Sequence, residues 1–266
     1  MTNLKSVVHN ALQSSLLTYR KINRPDAGET LYVVSTDHDV TLNLDLELQS
    51  AIISSLTESG IAARIVSEEL KSPQDLVAQP RYFITIDPLD GTENAQRHKA
   101  PQASIVGVYD SLHPTFDAIV AAGVVELTSG EVWFADGSGC YKNNQSVRTS
   151  TIQKLDKKTQ GIIDGYYPDN VERCKSMYQR ARVRDYGSSA AHFAWLASGQ
   201  VDAFVSLHQK NHEGGAGYFL ITKAGGIVTD SQGNNLGPRP YIFEEKVSFI
   251  AASTKELHRE ILGLIQ

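Results

Sequence analysis

Residues 82–92 read Tyr82-Phe-Ile-Thr-Ile-Asp-Pro-Leu-Asp-Gly-Thr92, an apolar run followed by two aspartates three positions apart. The apolar run predicts a buried strand, and Pro88 between the aspartates prevents regular strand pairing there. Two carboxylates just beyond a buried strand can converge on one point, where hard oxygen ligands suit Mg²⁺. If a helical turn begins at Asp90, the free amides of Gly91 and Thr92 face outward and favour an anion. The stretch therefore predicts a cation site beside a phosphate site.

A surface turn is the alternative interpretation of the same residues. Asp, Pro and Gly each favour turns for separate local reasons, and such clusters are common. The choice between the two interpretations depends on whether further site residues occur elsewhere in the chain.

The composition is that of an ordinary globular protein. The 266 residues are 41% hydrophobic and 21% charged, enough to bury the core of one large domain or of two packed halves. A formal charge of −5 argues against a protein that coats nucleic acid and suits a site that gathers cations. We find no apolar run of ~18 residues and no signal-peptide pattern, so we expect a cytoplasmic protein without membrane contact.

Two cysteines, Cys140 and Cys174, lack the spacing of a CxxC or Cys/His metal site. In a reducing cytosol such residues are expected as free buried thiols rather than as a disulfide.

Further carboxylates occur upstream of residues 82–92. Asp45 lies in the first turn of a helix predicted from Leu44, Leu48 and Ile52, where the helix dipole alone favours a negative charge. Glu68 and Glu69 close a predicted strand at 62–66, and exposed Glu pairs are usually solvated surface. Because that strand precedes the Asp87 strand closely, both strand ends could also deliver carboxylates to one edge of a sheet.

The order of predicted elements divides the chain near residues 144–150. Residues 1–146 show an N-terminal helix, connections at 23–30 and 35–41, and then strands of a mainly antiparallel sheet. Residues 147–266 alternate strand and helix, which argues for an α/β arrangement.

The segment Asp87-Pro-Leu-Asp-Gly-Thr92 matches the signature of the inositol monophosphatase-like family of metal-dependent, lithium-sensitive sugar phosphatases. Other segments resemble family motifs in the right order, and together they cover most of the chain. They are residues 40–49 with Thr41 and Asp45, residues 67–70, residues 184–190, Asp202, and Glu213 with the Gly-Gly-Ala-Gly that follows it. The resemblance implies a five-layered αβαβα sandwich and a homodimer.

The resemblance also implies the roles of individual residues. Glu68, Asp87 and the Leu89 carbonyl hold one Mg²⁺, while Asp87, Asp90 and Glu213 hold a second. A third, weaker ion binds at Glu68.

For the remaining chemistry, the resemblance implies that Thr92, polarised by Asp45, accepts the proton of the attacking water. Glu69 holds a water, and the amides of Gly91 and Thr92 bind phosphate. Three further residues, Gly187, Ser188 and Ser189, face the substrate. Ser188 also fits a helix N-cap, and the two roles are compatible.

Two departures from the family pattern bear on function. Glu213 replaces the family's metal-binding Asp, and His212 replaces the Trp before it. Ser206 stands at the substrate-reading position where inositol phosphatases carry Glu, which makes inositol a less favoured substrate. His208 and His212 are expected to be solvated, since a hard-oxygen ligand set needs neither.

We therefore expect a Mg²⁺-dependent phosphomonoesterase for a small inositol- or sugar-phosphate-like ester, using two to three ions. A histidinol-phosphate or 3′-phosphonucleotide phosphatase is the enzymatic alternative. A non-catalytic regulatory member of the family, acting through protein contacts, is the alternative of another class.

Overall fold

The computed structural model describes residues 3–22, 32–34 and 40–265, with the backbone alone for the strands at 32–34 and 40–42. The predicted connections at 23–30 and 35–39 and the side chain of Thr41 lie outside this description. Part of the second connection was predicted wrongly, because residues 40–42 form a strand.

The helices of the described ranges alternate with strands through most of the chain. They are α1 (Leu4–Ile22), α2 (Asn43–Glu58), α3 (Thr92–Gln96), α4 (Pro168–Arg173), α5 (Lys175–Arg180), α6 (Ser189–Ala197), α7 (Asn211–Lys223) and α8 (Lys255–Leu262). A 3₁₀ turn covers Phe116–Ala118. None of these helices is long and apolar enough to cross a membrane.

The strands of the same ranges fall into a two-stranded ribbon and two larger sheets. They are β1 (Tyr32–Val34), β2 (Val40–Leu42), β3 (Ala63–Ser67), β4 (Gln74–Asp75), β5 (Tyr82–Asp90), β6 (Ala103–Tyr109), β7 (Ile119–Glu126), β8 (Val132–Asp136), β9 (Gly139–Lys142), β10 (Gln145–Val147), β11 (Gln160–Ile163), β12 (Arg182–Arg184), β13 (Ala203–Lys210), β14 (Ile227–Thr229) and β15 (Lys246–Ala252).

The first large sheet has the strand order β10-β9-β8-β7-β6-β5-β3-β4. Its pairs are antiparallel except for β3 and β5, which run parallel with Ser67 beside Ile86. The mainly antiparallel sheet predicted for the first half is thus confirmed. The one parallel pair matters most, because it brings two strand ends to the same edge.

The second sheet has the order β12-β11-β13-β15-β14. Strands β12, β11 and β13 run parallel, while β15 is antiparallel to both of its neighbours. Because parallel strands need crossover connections, the helices of this half lie between them in sequence. The predicted α/β arrangement is confirmed.

Five layers result, in the order αβαβα. Helices α1 and α2 cover the outer face of the first sheet, α6 and α7 lie between the two sheets, and α4, α5 and α8 pack on the second. Helix α1 approaches β7 closely at Gly123, where an added Cβ would lie 2.7 Å from the Leu12 Cδ1. Helix α7 is buried on all sides from Asn211 to Ile221, which explains its small and apolar sequence.

The central layer joins both halves of the chain in one hydrophobic core. Trp133 of β8 and Phe193 of α6 are fully buried in that core, and the Trp133 Nε1–H donates to the Ser198 Oγ at 3.0 Å. Both cysteines are free and buried, as expected. The division into residues 1–146 and 147–266 stays a prediction.

Candidate active site

The aspartates of residues 82–92 lie in an irregular end of β5. Strand pairing with β6 is regular up to Asp87 and resumes at Asp90 with a shift in register, so Pro88 lies in a bulge. The Asp87 Oδ1 accepts a hydrogen bond from the Leu89 N–H at 3.0 Å, and Asp87 is only 1% exposed. The surface-turn interpretation is therefore wrong.

Glu68 reaches the same edge from the neighbouring strand. It directly follows β3, and its backbone N–H donates to the carbonyl oxygen of Ile86 at 3.3 Å. The parallel pairing of β3 with β5 fixes this position, because both strands end side by side. The predicted convergence of the two strand ends is confirmed.

Two overlapping groups of side chains bring their ligand atoms within 4.8 Å of one another. One group is Asp87, Asp90 and Glu213, and the other is Glu68, Asp87 and His212. Asp87 belongs to both groups, while Glu213 comes from the first turn of α7 in the second half of the chain. The Asp87 carboxylate is therefore common to two adjacent groups of side chains that could each hold a cation.

Burial raises the pKa of Asp87 well above its ordinary value of 3.8, and the negative charges of Glu68, Glu213 and Asp90 raise it further. Burial and the charge of Glu213 do the same for the pKa of Asp90. The Ser188 hydroxyl and the Ala190 N–H both donate to the Asp90 Oδ2, at 2.5 and 2.7 Å, and only partly offset this effect.

Glu213 behaves differently. Burial would raise its pKa, but His212, Lys210 and Gln209 together outweigh burial and lower it. The Gln209 amide donates to the Glu213 Oε2 at 2.7 Å, and the Lys210 Nζ lies 3.0 Å from the Glu68 Oε1.

These residues fit hard divalent cations. Buried carboxylates that repel one another hold protons at a pH where exposed ones are ionised, and a cation can take the place of those protons. Carboxylate and carbonyl oxygens are the ligands that Mg²⁺ prefers in proteins.

Thr92 follows the carboxylates at the start of α3. Its hydroxyl donates to the Leu89 carbonyl oxygen at 3.0 Å. Asp45 lies in the first turn of α2 and is only 2% exposed, unlike an ordinary helix-start residue. Its predicted pairing with Thr92 stays a prediction.

A cavity of about 710 Å³ opens over these groups. Among the predicted residues, its lining includes Glu68, Glu69, Asp87, Leu89, Asp90, Gly91, Thr92, Gly187, Ser188, Ser189 and Glu213. The lining also includes residues that sequence analysis did not single out for the site, namely Asp164, Tyr166, Tyr167, Lys210 and Lys246.

Ser206 is not among the residues that line the cavity, and its predicted place in the substrate site stays a prediction. The residue is fully buried in β13, and its hydroxyl donates to the Asp164 Oδ2 at 2.8 Å. Asp164 directly follows β11, the strand parallel to β13, and lines the cavity instead. A carboxylate is thus supplied from the neighbouring strand, and only the strand-end position of Asp164 could have indicated it.

Of the two histidines expected to be solvated, only His212 differs from that expectation. His208 is partly exposed, and its Nε2 lies 2.6 Å from the Asp169 Oδ2. His212 was predicted to be solvated and is instead 5% exposed, because α7 begins at Asn211 and carries it into the central layer.

Comparison with known proteins agrees with this geometry. The model of the Inositol monophosphatase family matches residues 3–266. The fructose-1,6-bisphosphatase/inositol-1-monophosphatase of Archaeoglobus fulgidus is 32% identical over 206 residues, 76% of this chain and 75% of that protein. The Nus factor SuhB of Escherichia coli K12 is 26% identical over 242 residues, 87% of this chain and 86% of that protein.

Solved structures show the same fold. The Thermotoga maritima IMPase superposes with a TM-score of 0.81 at 22% identity, covering 100% of this chain and 97% of that one. The chain therefore belongs to the inositol monophosphatase family and, as its sequence predicts, is a phosphoric monoester hydrolase.

Proposed function

We propose that this protein hydrolyses a small, hydroxyl-rich phosphate monoester, such as an inositol or sugar phosphate, with the help of two to three Mg²⁺ ions. The observation that carries the proposal is the buried Asp87 carboxylate, shared by two groups of ligand atoms from the ends of β3 and β5 and the first turn of α7. Phosphate monoesters hydrolyse extremely slowly unaided, so the site must both activate water and stabilise a leaving alkoxide.

The residues that would hold the ions are those that the family resemblance implies, and the two groups contain all of them except the Leu89 carbonyl. Glu68, Asp87 and the Leu89 carbonyl would hold one, Asp87, Asp90 and Glu213 the second, and Glu68 a third, weaker ion. When bound, such ions supply a nucleophilic water at neutral pH and a counter-charge for the leaving oxygen. A carbonyl oxygen has two lone pairs, so the Leu89 oxygen can accept from Thr92 and still ligate a cation.

Proton transfer is assigned to Thr92 with Asp45 behind it. A hydroxyl acts as a base only if its own proton can pass to a stronger acceptor. The buried Asp45 carboxylate would be that acceptor once the Thr92 hydroxyl turns away from the Leu89 carbonyl oxygen, to which it donates in the structure. Glu69, in the cavity lining, would hold a second water.

Phosphate binding is assigned to the backbone amides of Gly91 and Thr92. Gly187 and Ser189 would line the substrate on the opposite side. The Ser188 hydroxyl accepts from the Ala191 N–H, as an N-cap does, and donates to Asp90. We propose that Ser188 acts on substrate indirectly, by orienting the Asp90 carboxylate.

Asp164 is the proposed reader of the leaving group. Its pKa is raised, by burial first and by Asp185 and Glu213 in addition, while the Ser206 hydroxyl counteracts this. The ionised carboxylate can accept hydrogen bonds from sugar or polyol hydroxyls. The lack of a carboxylate at Ser206 therefore no longer argues against inositol phosphates.

Replacing Asp164 with Asn tests this role. We expect kcat/KM for myo-inositol 1-phosphate to fall about 10- to 150-fold, the worth of one charge-assisted hydrogen bond, while a phosphate ester without further hydroxyls is hydrolysed as before. Ser206→Ala should show a smaller loss in the same direction. Equal losses on both kinds of ester would remove Asp164 from substrate recognition.

The main test is phosphate release by the cation-stripped protein from a panel of esters. The panel contains myo-inositol 1-phosphate, fructose 1,6-bisphosphate, histidinol phosphate and a 3′-phosphonucleotide. We expect turnover only after Mg²⁺ is restored, and near-abolition by Asp90→Asn. Undiminished turnover in excess EDTA would overturn the proposal, and preference for either of the last two esters would select the enzymatic alternative.

A regulatory role acting through protein contacts is the second candidate, supported by the relative named Nus factor SuhB. It would leave the folded, cation-loaded protein without turnover on the whole panel. Measured turnover that responds to Asp90→Asn would rule out a purely non-catalytic protein.

We further propose a cytoplasmic homodimer that is inhibited by Li⁺, as the family resemblance implies. Light scattering during size-exclusion chromatography would report the mass of the assembly, and Li⁺ titration of the Mg²⁺-dependent activity would test the inhibition.

A further inference from the structure

The His212 side chain has an unsatisfied nitrogen in the middle of the carboxylates. His212 is 5% exposed, and its Nε2 has no hydrogen-bond partner among the described residues. This holds although the Glu213 Oε1 is 3.2 Å away. A buried polar atom without a partner costs free energy, so its position calls for a ligand.

The distances around this nitrogen match those around one metal ion. The His212 Nε2 lies 3.8 Å from the Glu68 Oε2 and 3.9 Å from the Asp87 Oδ2. Two ligand atoms at about 2.1 Å from a first-row ion are separated by about 3.0 Å at right angles and about 4.2 Å when opposite. Both observed distances fall in this range.

The Lys210 ammonium and the His212 Nε2 lie near different oxygens of the Glu68 carboxylate. It lies 3.0 Å from the Glu68 Oε1, whereas His212 faces the Glu68 Oε2. One oxygen of Glu68 is thus held by a cationic side chain, and the other remains directed toward His212 and Asp87.

We infer that His212 is a nitrogen ligand of the cation that Glu68 and Asp87 hold, and that this position prefers a first-row transition ion such as Mn²⁺ to Mg²⁺. The inference rests on the cation-binding part of the proposed function. Imidazole is a good ligand for such ions, whereas Mg²⁺ prefers oxygen. The adjacent position, with Asp87, Asp90 and Glu213, keeps an all-oxygen set.

Pulsed EPR of bound Mn²⁺ tests the nitrogen contact without any turnover. We expect a directly bonded ¹⁴N coupling in the unmodified protein, which changes to the ¹⁵N pattern when only histidines are labelled with ¹⁵N. No nitrogen coupling in the Mn²⁺-loaded protein would overturn the inference.

Two variants of similar size assign the nitrogen. His212→Phe should lose the coupling, whereas His208→Phe should keep it, because His208 pairs with Asp169. The EPR signal of free Mn²⁺, measured while Mg²⁺ competes for the site, gives the affinities for both ions. We expect His212→Phe, but not His208→Phe, to reduce the ratio of Mn²⁺ affinity to Mg²⁺ affinity at least about tenfold. Losing even a residue that only hydrogen-bonds to a metal ligand costs at least that much in metal affinity.

If His212→Phe does not fold, the ¹⁵N-labelled wild type and His208→Phe still test whether His212 is the nitrogen ligand. A nitrogen coupling that disappears in His208→Phe would contradict that assignment. Failure of this inference is distinguishable from failure of the proposed function. Mg²⁺-dependent hydrolysis without nitrogen coupling would refute only the ligand, and nitrogen coupling without hydrolysis of any ester would refute only the phosphatase.

Discussion

Asp87 is a buried and Asp90 a half-buried carboxylate, and they repel each other and Glu213 when no cation is bound. Their pKa values are raised in the folded state, so folding takes up protons between pH 3.8, the ordinary pKa, and the raised value. The folded state then binds more protons than the unfolded state, and stability falls as pH rises through this window. Above the raised pKa, both carboxylates are ionised, and the full loss of stability from their burial and mutual repulsion is present.

We therefore expect Asp90→Asn to raise the stability of the cation-free protein at alkaline pH and to flatten its loss of stability as the pH rises above 3.8. Urea unfolding in EDTA at several pH values measures both effects. A wild type and a variant with parallel pH profiles would show that Asp90 carries no such penalty.

Thr92 is expected to act during reaction rather than in binding. Thr92→Ala should lower kcat by about 10²- to 10⁴-fold, the usual worth of a general base, with little change in KM because the backbone amide remains. Steady-state kinetics on the best ester of the panel measures the split. A change confined to KM would assign the hydroxyl to substrate binding.

At the residue scale, sequence could predict the carboxylates but not all of their neighbours. Glu68, Asp87 and Asp90 follow apolar runs, and strand ends deliver side chains to a sheet edge. Asp164 and His212 were missed because their positions depend on which strand lies beside which and on where a helix begins. Neither the neighbour of a strand nor the first residue of a buried helix can be predicted from one sequence without the register of the sheets.

Gly91 connects β5 to α3 in a left-handed conformation with φ 93°. A Cβ there would lie 2.9 Å from the Pro101 carbonyl oxygen. Gly91→Ala should therefore cost more than the about 1–2 kcal/mol of left-handed backbone strain alone.

Gly60→Ala is the matched control, because Gly60 has φ 70° but nothing within 4 Å of an added Cβ. Urea unfolding of both variants measures the difference in unfolding free energy. If both variants lose the same unfolding free energy, the close contact between the added Cβ and the Pro101 carbonyl oxygen costs no stability.

Helices with one clear apolar stripe were predicted well, as α1 and α2 show, since their spacing carries the signal. The pattern of residues 169–178 predicts one helix, but the chain forms α4 and α5 with a break at Cys174. No strand is predicted between residue 228 and the last helix, whereas β15 forms there and joins β13 to β14 in the second sheet. A short apolar run alone does not distinguish a strand from other buried segments.

For the whole molecule, cation binding should join the two halves, because Glu213 comes from the second half and Asp87 and Asp90 from the first. An ion present at a hundred times its Kd adds about 2.7 kcal/mol, or roughly 5–10 °C in melting temperature for a chain of this size. We expect Mg²⁺ or Mn²⁺ to raise the melting temperature of the wild type by this amount.

Glu213→Gln should lose most of that increase, whereas Glu213→Asp should keep part of it, because charge matters more than length in a cation ligand. Calorimetry with and without cation gives the comparison. Equal increases in wild type and Glu213→Gln would remove Glu213 from the ligand set.

The five-layered architecture followed from the sequence because a matched motif set in the correct order constrains the whole chain at once. The arrangement around α7 did not follow from residue patterns. Helix α7 is buried on all sides, and its small residues lie where the two sheets approach each other. When every face of a helix is buried, the spacing of its apolar residues does not indicate which face packs against which neighbour.

The distribution of the site along the chain has a consequence for synthesis. Glu68, Asp87 and Asp90 leave the ribosome before Glu213, which lies roughly 120 residues later, or about 6–25 s at ordinary elongation rates. During that interval the first sheet can form with its inner face uncovered and its acidic edge incomplete. A nascent chain halted before α7 should therefore expose Phe116, which packs against Tyr218 of α7, to chaperones. Divalent cations should protect such a chain from proteases less than they protect the finished protein.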